Sequence, residues 1–309
     1  MIHFLLALKT VAPLFLVILT GILFSRTKVS SADWVNILNK YALYIGFPAL
    51  VVASLMHLEP GEQSYSKLIL FNSVYIIVCL LLAYPVGKLF RLPRPTRRTL
   101  FLILPFGNIA YLGIPVLQNA LGDQILPAAA IISAVFVFWM LTLALILIEL
   151  SGDEKIHFKK LSLNLIQNPL LLSVFVGMFI VLFRIELPEF VSKTIDFFAE
   201  SVTAVVLFSL GIFLGMQNIG KLKEWYRVFA FVAATMLLIP FFYFILLKTT
   251  DLEPELVKAS VIDAAMPLGL TPYALSLQYN LDTKLAAWIV VLGTLLSVFI
   301  IPLWIALMS

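Results

Sequence analysis

The sequence is poor in charge and in the side chains that usually carry catalysis. Lys, Arg, Asp and Glu together make up 12% of its 309 residues, about half the share in a soluble domain. Cys79 is the only cysteine, which excludes an intrachain disulfide and any thiol pair for a metal. The three histidines, His3, His57 and His157, are scattered in termini and loops, so no metal site is indicated. No nucleophile elbow, phosphate loop or paired-carboxylate pattern occurs, and the chain reads as a non-enzyme without a cofactor. A net charge of +4, held in short stretches between apolar runs, argues against nucleic acid as a partner.

What is abundant is apolar surface. Hydrophobic residues make up 62% of the chain and the mean hydropathy is +1.06, so the reading is an all-α polytopic membrane protein in contact with lipid. Ten windows of about 20 residues can cross the hydrocarbon: 8–25, 40–57, 68–89, 99–121, 125–149, 163–183, 196–216, 227–247, 257–278 and 284–307. The stretch Met1–Lys9 lacks a basic n-region and no small-x-small site follows Phe24, so the first window is expected to be a retained span.

Fifteen of the 21 Lys and Arg residues fall in or beside the odd-numbered loops, including Arg26, Lys88, Arg91, Arg94, Arg97, Arg98, Lys155 and Lys221. The positive-inside rule then places those loops in the cytoplasm and both termini outside it, in what reads as a bacterial inner membrane. The run Arg91–Arg98 weighs most in this; it either sets orientation alone or also meets anionic headgroups.

Two five-span halves are visible, 1–150 and 163–309, with a polar linker at 151–162. Pro13 to Gly21 aligns with Pro169 to Gly177, and Asp123, Leu126 and Ala128 with Asp282, Leu285 and Ala287. Because five is odd, the second copy must insert upside down, the inverted-repeat architecture of many transporters.

The fourth and ninth windows are each broken by glycine, proline and polar residues. The breaks are Phe106-Gly107-Asn108-Ile109-Ala110-Tyr111-Leu112-Gly113-Ile114-Pro115 and Met266-Pro267-Leu268-Gly269-Leu270-Thr271-Pro272-Tyr273. Irregular backbone at that depth must face protein or a water-filled cavity, and paired breaks at matching repeat positions point to a substrate site. The helices before them, 99–106 and 257–266, reach about 12 and about 15 Å, roughly half a bilayer each. Restarts are expected with Thr271 as N-cap and Pro272 at the first helical position, and at Gly113-Ile114-Pro115. The two breaks should cross, with helix N-termini converging to hold an anion without any Lys or Arg.

The candidate substrate-binding residues are Asn108, Tyr111, Gly113, Pro115, Pro267, Gly269, Thr271 and Tyr273, with Gly107 and Pro267 at the breaks themselves. Asn108 either contacts substrate or ties down freed backbone. Asp263 is the one acidic residue well inside a span. It is a candidate for a coupling proton or sodium ion, or else a hydrogen-bonded packing residue. Gln118, Asn119, Gln278 and Tyr279 lie toward helix ends and are expected to meet water or headgroups. Gly211 and Gly215 form a small-xxx-small pair that lets a helix approach closely, from this chain or from a second protomer.

At Gly107-Asn108, Leu112-Gly113-Ile114-Pro115, Asn168-Pro169, Met266-Pro267-Leu268-Gly269, Gln278-Tyr279 and Ser297 to Leu303, the sequence resembles the auxin efflux carrier family. That family includes the plant PIN carriers and bacterial organic-acid permeases, and the bacterial branch is the better fit. The resemblance implies a scaffold from spans 1, 2, 6 and 7 and a mobile unit from spans 3–5 and 8–10. It further implies an elevator-like motion, substrate at the crossover, and a homodimer through the scaffold that would give Gly211 and Gly215 a place. Asn108 and Pro267 fall where the plant carriers have a crossover asparagine and proline. Gly107 departs from a plant proline, and only about a dozen residues around Gly152-Asp153-Glu154 stand where the plant proteins have a long loop. The implied cargo is a small organic anion, a mono- or dicarboxylate such as malate or malonate or an auxin-like acid. A sodium-coupled carrier of bile-acid-like substrates would need more Asn, Gln, Ser and Glu around the crossover. A membrane sensor is expected to carry a cytoplasmic domain, of which the sequence shows no sign.

Overall fold

A chain this apolar has to bond its own backbone, and it does so as helix. The computed structural model describes residues 2–56, 65–152, 162–163, 166–217 and 225–308. Within these lie twelve helices. They are α1 (Ile2–Phe24), α2 (Ala32–Met56), α3 (Ser66–Leu89), α4 (Arg94–Ile103), α5 (Ile109–Leu121) and α6 (Asp123–Leu150). The others are α7 (Pro169–Leu182), α8 (Glu189–Met216), α9 (Trp225–Lys248), α10 (Pro254–Ala264), α11 (Leu270–Gln278) and α12 (Thr283–Leu307).

Seven of them, α1, α2, α3, α6, α8, α9 and α12, are long and apolar enough to cross a membrane. The protein is an integral, polytopic membrane protein. The fourth and ninth windows are each two short helices, α4–α5 and α10–α11. The sixth is shorter than its window: α7 opens at Pro169, where Asn168 caps it by accepting from the N–H groups of Leu170 and Leu171. Most of the linker 151–162 lies outside the described residues. Phe175 and Phe179 on α7 are exposed, as suits a surface solvated by lipid.

Proline follows three of the four widened turns among the described residues, the fourth being Met140–Ala144 in α6. Widened π turns at Ala42–Gly46, Ile109–Gly113 and Ala234–Leu238 each end two residues before a proline, Pro48, Pro115 and Pro240. A proline ring collides with the carbonyl four residues back and offers no N–H to it. One wider turn ahead of it moves that carbonyl aside and keeps the helix going.

Small residues decide the closest helix contact. A Cβ on Gly211 of α8 would overlap the Ile18 carbonyl oxygen and stand 2.9 Å from Gly21 Cα on α1. A Cβ on Gly215 would overlap Ser25 Oγ. The glycine pair therefore serves packing of α8 on α1 within one chain, the first of the two partners its spacing allowed. Backbone approach this close gives the dispersion contact that drives helix association in lipid.

The basic run at the start of α4 makes bonds within the protein. Arg98 donates from Nε and Nη2 to the Ile148 carbonyl at 3.2 and 3.1 Å, and Arg94 from Nε to the Ser151 carbonyl at 3.3 Å. These bonds satisfy carbonyls left open at the C-terminus of α6. Thr96 donates to Asp282 Oδ2 at 2.6 Å, and the Asp282 N–H donates to Thr99 Oγ1 at 2.9 Å. Asp282 in turn caps α12 through the Leu285 N–H. The outer ends of both broken pairs are thereby fixed to their neighbours.

Candidate functional site

The first break begins where α4 ends at Ile103, and helix resumes at Ile109 with Asn108 as its cap. The Asn108 carbonyl accepts from both Leu112 N–H at 3.0 Å and Gly113 N–H at 2.9 Å, which is what widens the turn. The restart expected at Gly113-Ile114-Pro115 therefore comes several residues earlier. Pro115 needs a widened turn in front of it, and that turn is itself helical.

The second break begins after Ala264, where Ala265 and Met266 bond back onto the last carbonyls of α10. Helix resumes at Leu270, capped by Gly269 in an extended conformation, φ −80° and ψ 163°. This corrects the expected N-cap at Thr271. The Gly269 carbonyl already accepts from Tyr273 N–H, so Thr271 lies inside the first turn. Pro272 is tolerated there because N–H groups in a first turn have no intrahelical acceptor.

The two breaks meet. Asn108 donates its backbone N–H to the Pro267 carbonyl at 2.6 Å, and Gly107 and Leu268 form an antiparallel bridge. A Cβ on Gly269 would stand 3.2 Å from the Gly107 carbonyl oxygen and 3.3 Å from Asn108 Cα. One on Gly107 would stand 2.9 Å from Met266 O. Glycine is needed on both sides for backbones this close. By helix geometry the first amides of α5 and of α11 have no intrahelical acceptor, and each start carries a partial positive charge.

Paired interrupted helices that meet at their breaks are a feature of many proteins that move cargo across membranes, and comparison with known sequences agrees. A family model described as a membrane transport protein matches residues 6–305. The chain belongs to this membrane transport protein family. It is similar to a putative malonate transporter of Rhizobium meliloti, 24% identical over 93% of this chain and 91% of the relative. It is also similar to an uncharacterized transporter of Methanocaldococcus jannaschii, 24% identical over 94% of each. Auxin efflux carrier component 8 of Arabidopsis thaliana is 29% identical over 36% of this chain and 30% of its own length. The protein is accordingly a transporter and not an enzyme.

In the transporter the remaining side chains fall into groups. Asn108 is buried, and its Nδ2 has no partner. Tyr111 packs edge-on against Phe47 of α2 at 5.2 Å between ring centroids, and Tyr273 packs against Phe213 of α8 at 5.2 Å. Each broken pair thus rests one tyrosine on a long helix. Gly113 faces Asp263: a Cβ there would overlap Asp263 Oδ1. Pro267 packs on Gly293 of α12. Pro115 is buried and Thr271 exposed. Gln118 bonds Asp123, Asn119 bonds the Pro115 carbonyl, and Gln278 is exposed.

Tyr279 differs from its expected place at water or headgroups. It is 5% exposed, and its hydroxyl lies 3.5 Å from Glu149 Oε1, itself buried in the last turn of α6. Three further polar residues, passed over in the sequence, lie beside Asp263. Asn72 of α3 and Ser260 of α10 are fully buried, and Tyr243 of α9 nearly so. Asn72 was visible as an amide in an apolar window, a costly placement that usually has a reason.

Proposed function

We propose that this membrane transport protein carries a small organic anion, a mono- or dicarboxylate, between two helix starts at the crossover. The observation that carries the reading is the meeting of α5 and α11 at Asn108 and Gly269, with the Nδ2 of buried Asn108 unpartnered. Amides at two N-termini and one carboxamide donor suit a carboxylate, and they explain why neither broken pair places a basic side chain there. The malonate named for the Rhizobium relative is a molecule of this class.

The architecture that goes with this reading is ten crossings as two inverted five-helix repeats, 1–150 and 163–309. The α1, α2, α7 and α8 helices form the scaffold and the rest a mobile unit that carries the crossover by an elevator motion. The tyrosine–phenylalanine contacts to α2 and α8 then lie on the sliding surface. The odd loops face the cytoplasm, both termini lie outside it, and a homodimer forms through scaffold surface other than Gly211 and Gly215. The test is counterflow in proteoliposomes: purified protein loaded with malonate should exchange it for labelled malonate, malate or related carboxylates. No exchange across such a panel, from protein that remains folded, would sink the reading.

A further inference from the structure

Among the described residues, seven polar atoms of the apolar core have no partner: Asn72 Oδ1, Asn108 Nδ2, Ser133 Oγ, Tyr243 Oη, Thr294 Oγ1 and both carboxylate oxygens of Asp263. They belong to side chains no more than 4% exposed. Native interiors leave few such atoms, and each calls for a reason. Four of them, on Asn72, Tyr243 and Asp263, gather at α10. Asn72 donates Nδ2 to Ser260 Oγ at 3.0 Å and to the Leu68 carbonyl at 2.9 Å, which leaves its oxygen open. Ser260 and Asp263 are one turn apart on one face of α10. Tyr243 lies beside Ser260 and within electrostatic reach of Asp263, its ring against Tyr75 at 4.5 Å.

Charge decides what this cluster does. A naked carboxylate in a dry core is very costly without a cation or several donors. None is supplied here. The buried titratable groups on the helices packed against α10 are Tyr75 and Cys79 from α3, Tyr111 from α5 and Tyr243 from α9, whereas Lys67, Tyr84 and Lys88 of α3 and Tyr226, Arg227 and Lys248 of α9 are exposed. On α6, Asp123 is bonded to Gln118 and Glu149 neighbours Tyr279; on α12, Lys284 lies over the Trp288 ring. Among the described residues no basic side chain pairs with Asp263.

We propose that Asp263, with Asn72, Ser260 and Tyr243 around it, is a proton-carrying site coupled to movement of the anion. A proton turns the carboxylate into an acid with an O–H to give, and a neutral group is the one that this environment tolerates. Gly113 provides the coupling. It lets Asp263 Oδ1 press against the π turn of α5, which starts next to Asn108 at the crossover and whose first amides have no intrahelical acceptor. An anion at those amides and a charged Asp263 repel each other, so the anion enters when the carboxylate takes up a proton. Both cross together, and the proton leaves to the far side as the anion is released. The coupling half rests on the carboxylate-carrier reading; the protonated state of Asp263 does not.

The experiment therefore has two arms. Infrared difference spectra of purified, substrate-free protein between acid and alkaline pH should show the C=O band of a carboxyl that takes up a proton. It should be absent in Asp263→Asn and moved in Tyr243→Phe, a variant that keeps the ring and its packing. No such band lost in Asp263→Asn, or none moved in Tyr243→Phe, overturns the site as drawn. In proteoliposomes, an inward proton gradient should accelerate malonate uptake several-fold over exchange in wild type, less in Tyr243→Phe and not at all in Asp263→Asn. Stimulation by a sodium gradient instead, or equal stimulation in wild type and Asp263→Asn, overturns the coupling. Absence of malonate exchange in every protein counts against the carrier reading alone, and the infrared arm still decides the site.

Discussion

The backbone N–H of Asn108 is held at 2.6 Å by the carbonyl of Pro267, across about half the chain's length in sequence. Each of two helix breaks thereby supplies what the other lacks. Pro267 leaves a carbonyl to which no helix amide donates, and Asn108 offers an amide that no helix carbonyl accepts. Because the backbone groups bond each other, the Asn108 side chain is spared that task and its Nδ2 stays unpartnered.

Asn108→Ala should therefore leave the fold almost unchanged, since no protein partner loses a bond. Affinity for a carboxylate at the crossover should fall by about 1–3 kcal/mol, roughly fivefold to 150-fold. Melting temperature and isothermal binding on the same preparation check both halves. Unchanged affinity would show that the carboxamide has no part in binding.

Gly113→Ala should destabilise the protein by about 1–3 kcal/mol, the usual cost of an extra methyl in a packed core. The methyl would overlap Asp263 Oδ1, so the penalty should shrink when Asp263 is also alanine. A thermal-unfolding double-mutant cycle measures this. Strictly additive effects would mean that the two side chains do not meet.

Gly211→Ala tests the packing of α1 on α8 with an opposing control built in. Helix propensity alone favours alanine over glycine by about 1 kcal/mol. The Cβ would overlap the Ile18 carbonyl, and overpacking costs of about 1–3 kcal/mol should reverse that gain. The expected result is a lowered melting temperature in detergent, with a raised one counting against the contact.

Lys67 at the start of α3 pairs with Asp251 just before α10. The hydrogen bond from Lys67 holds the exposed Asp251 carboxyl below its usual value. The contribution of such a group is present above its unfolded value, about 3.9, and is lost as pH falls through the lower folded value. Asp251→Asn should therefore match wild type in the acid and differ at neutral pH only slightly, the more so in high salt, because exposed pairs are screened. Unfolding curves across that range would show it.

Composition and apolar run length determined a great deal about this protein. In a medium without water, helix is the only backbone solution for separate long apolar segments, so α1, α2, α3, α6, α8, α9 and α12 follow from hydropathy. The two breaks were equally visible, because glycine, proline and polar residues cluster there, where single residues such as Pro13, Pro85 and Pro302 are tolerated inside helices. Helix starts were not. Whether Thr271 or Gly269 caps α11 depends on the backbone conformation of Gly269, and that is set by the Gly107–Asn108 backbone lying against it. The placement of Tyr279, the pairing of Gly211 with Gly21, and the meeting of Asn72, Tyr243 and Ser260 at Asp263 were decided by tertiary structure alone. Each depends on which helix faces are brought together, and that follows from interhelical packing and bonding between residues far apart in sequence.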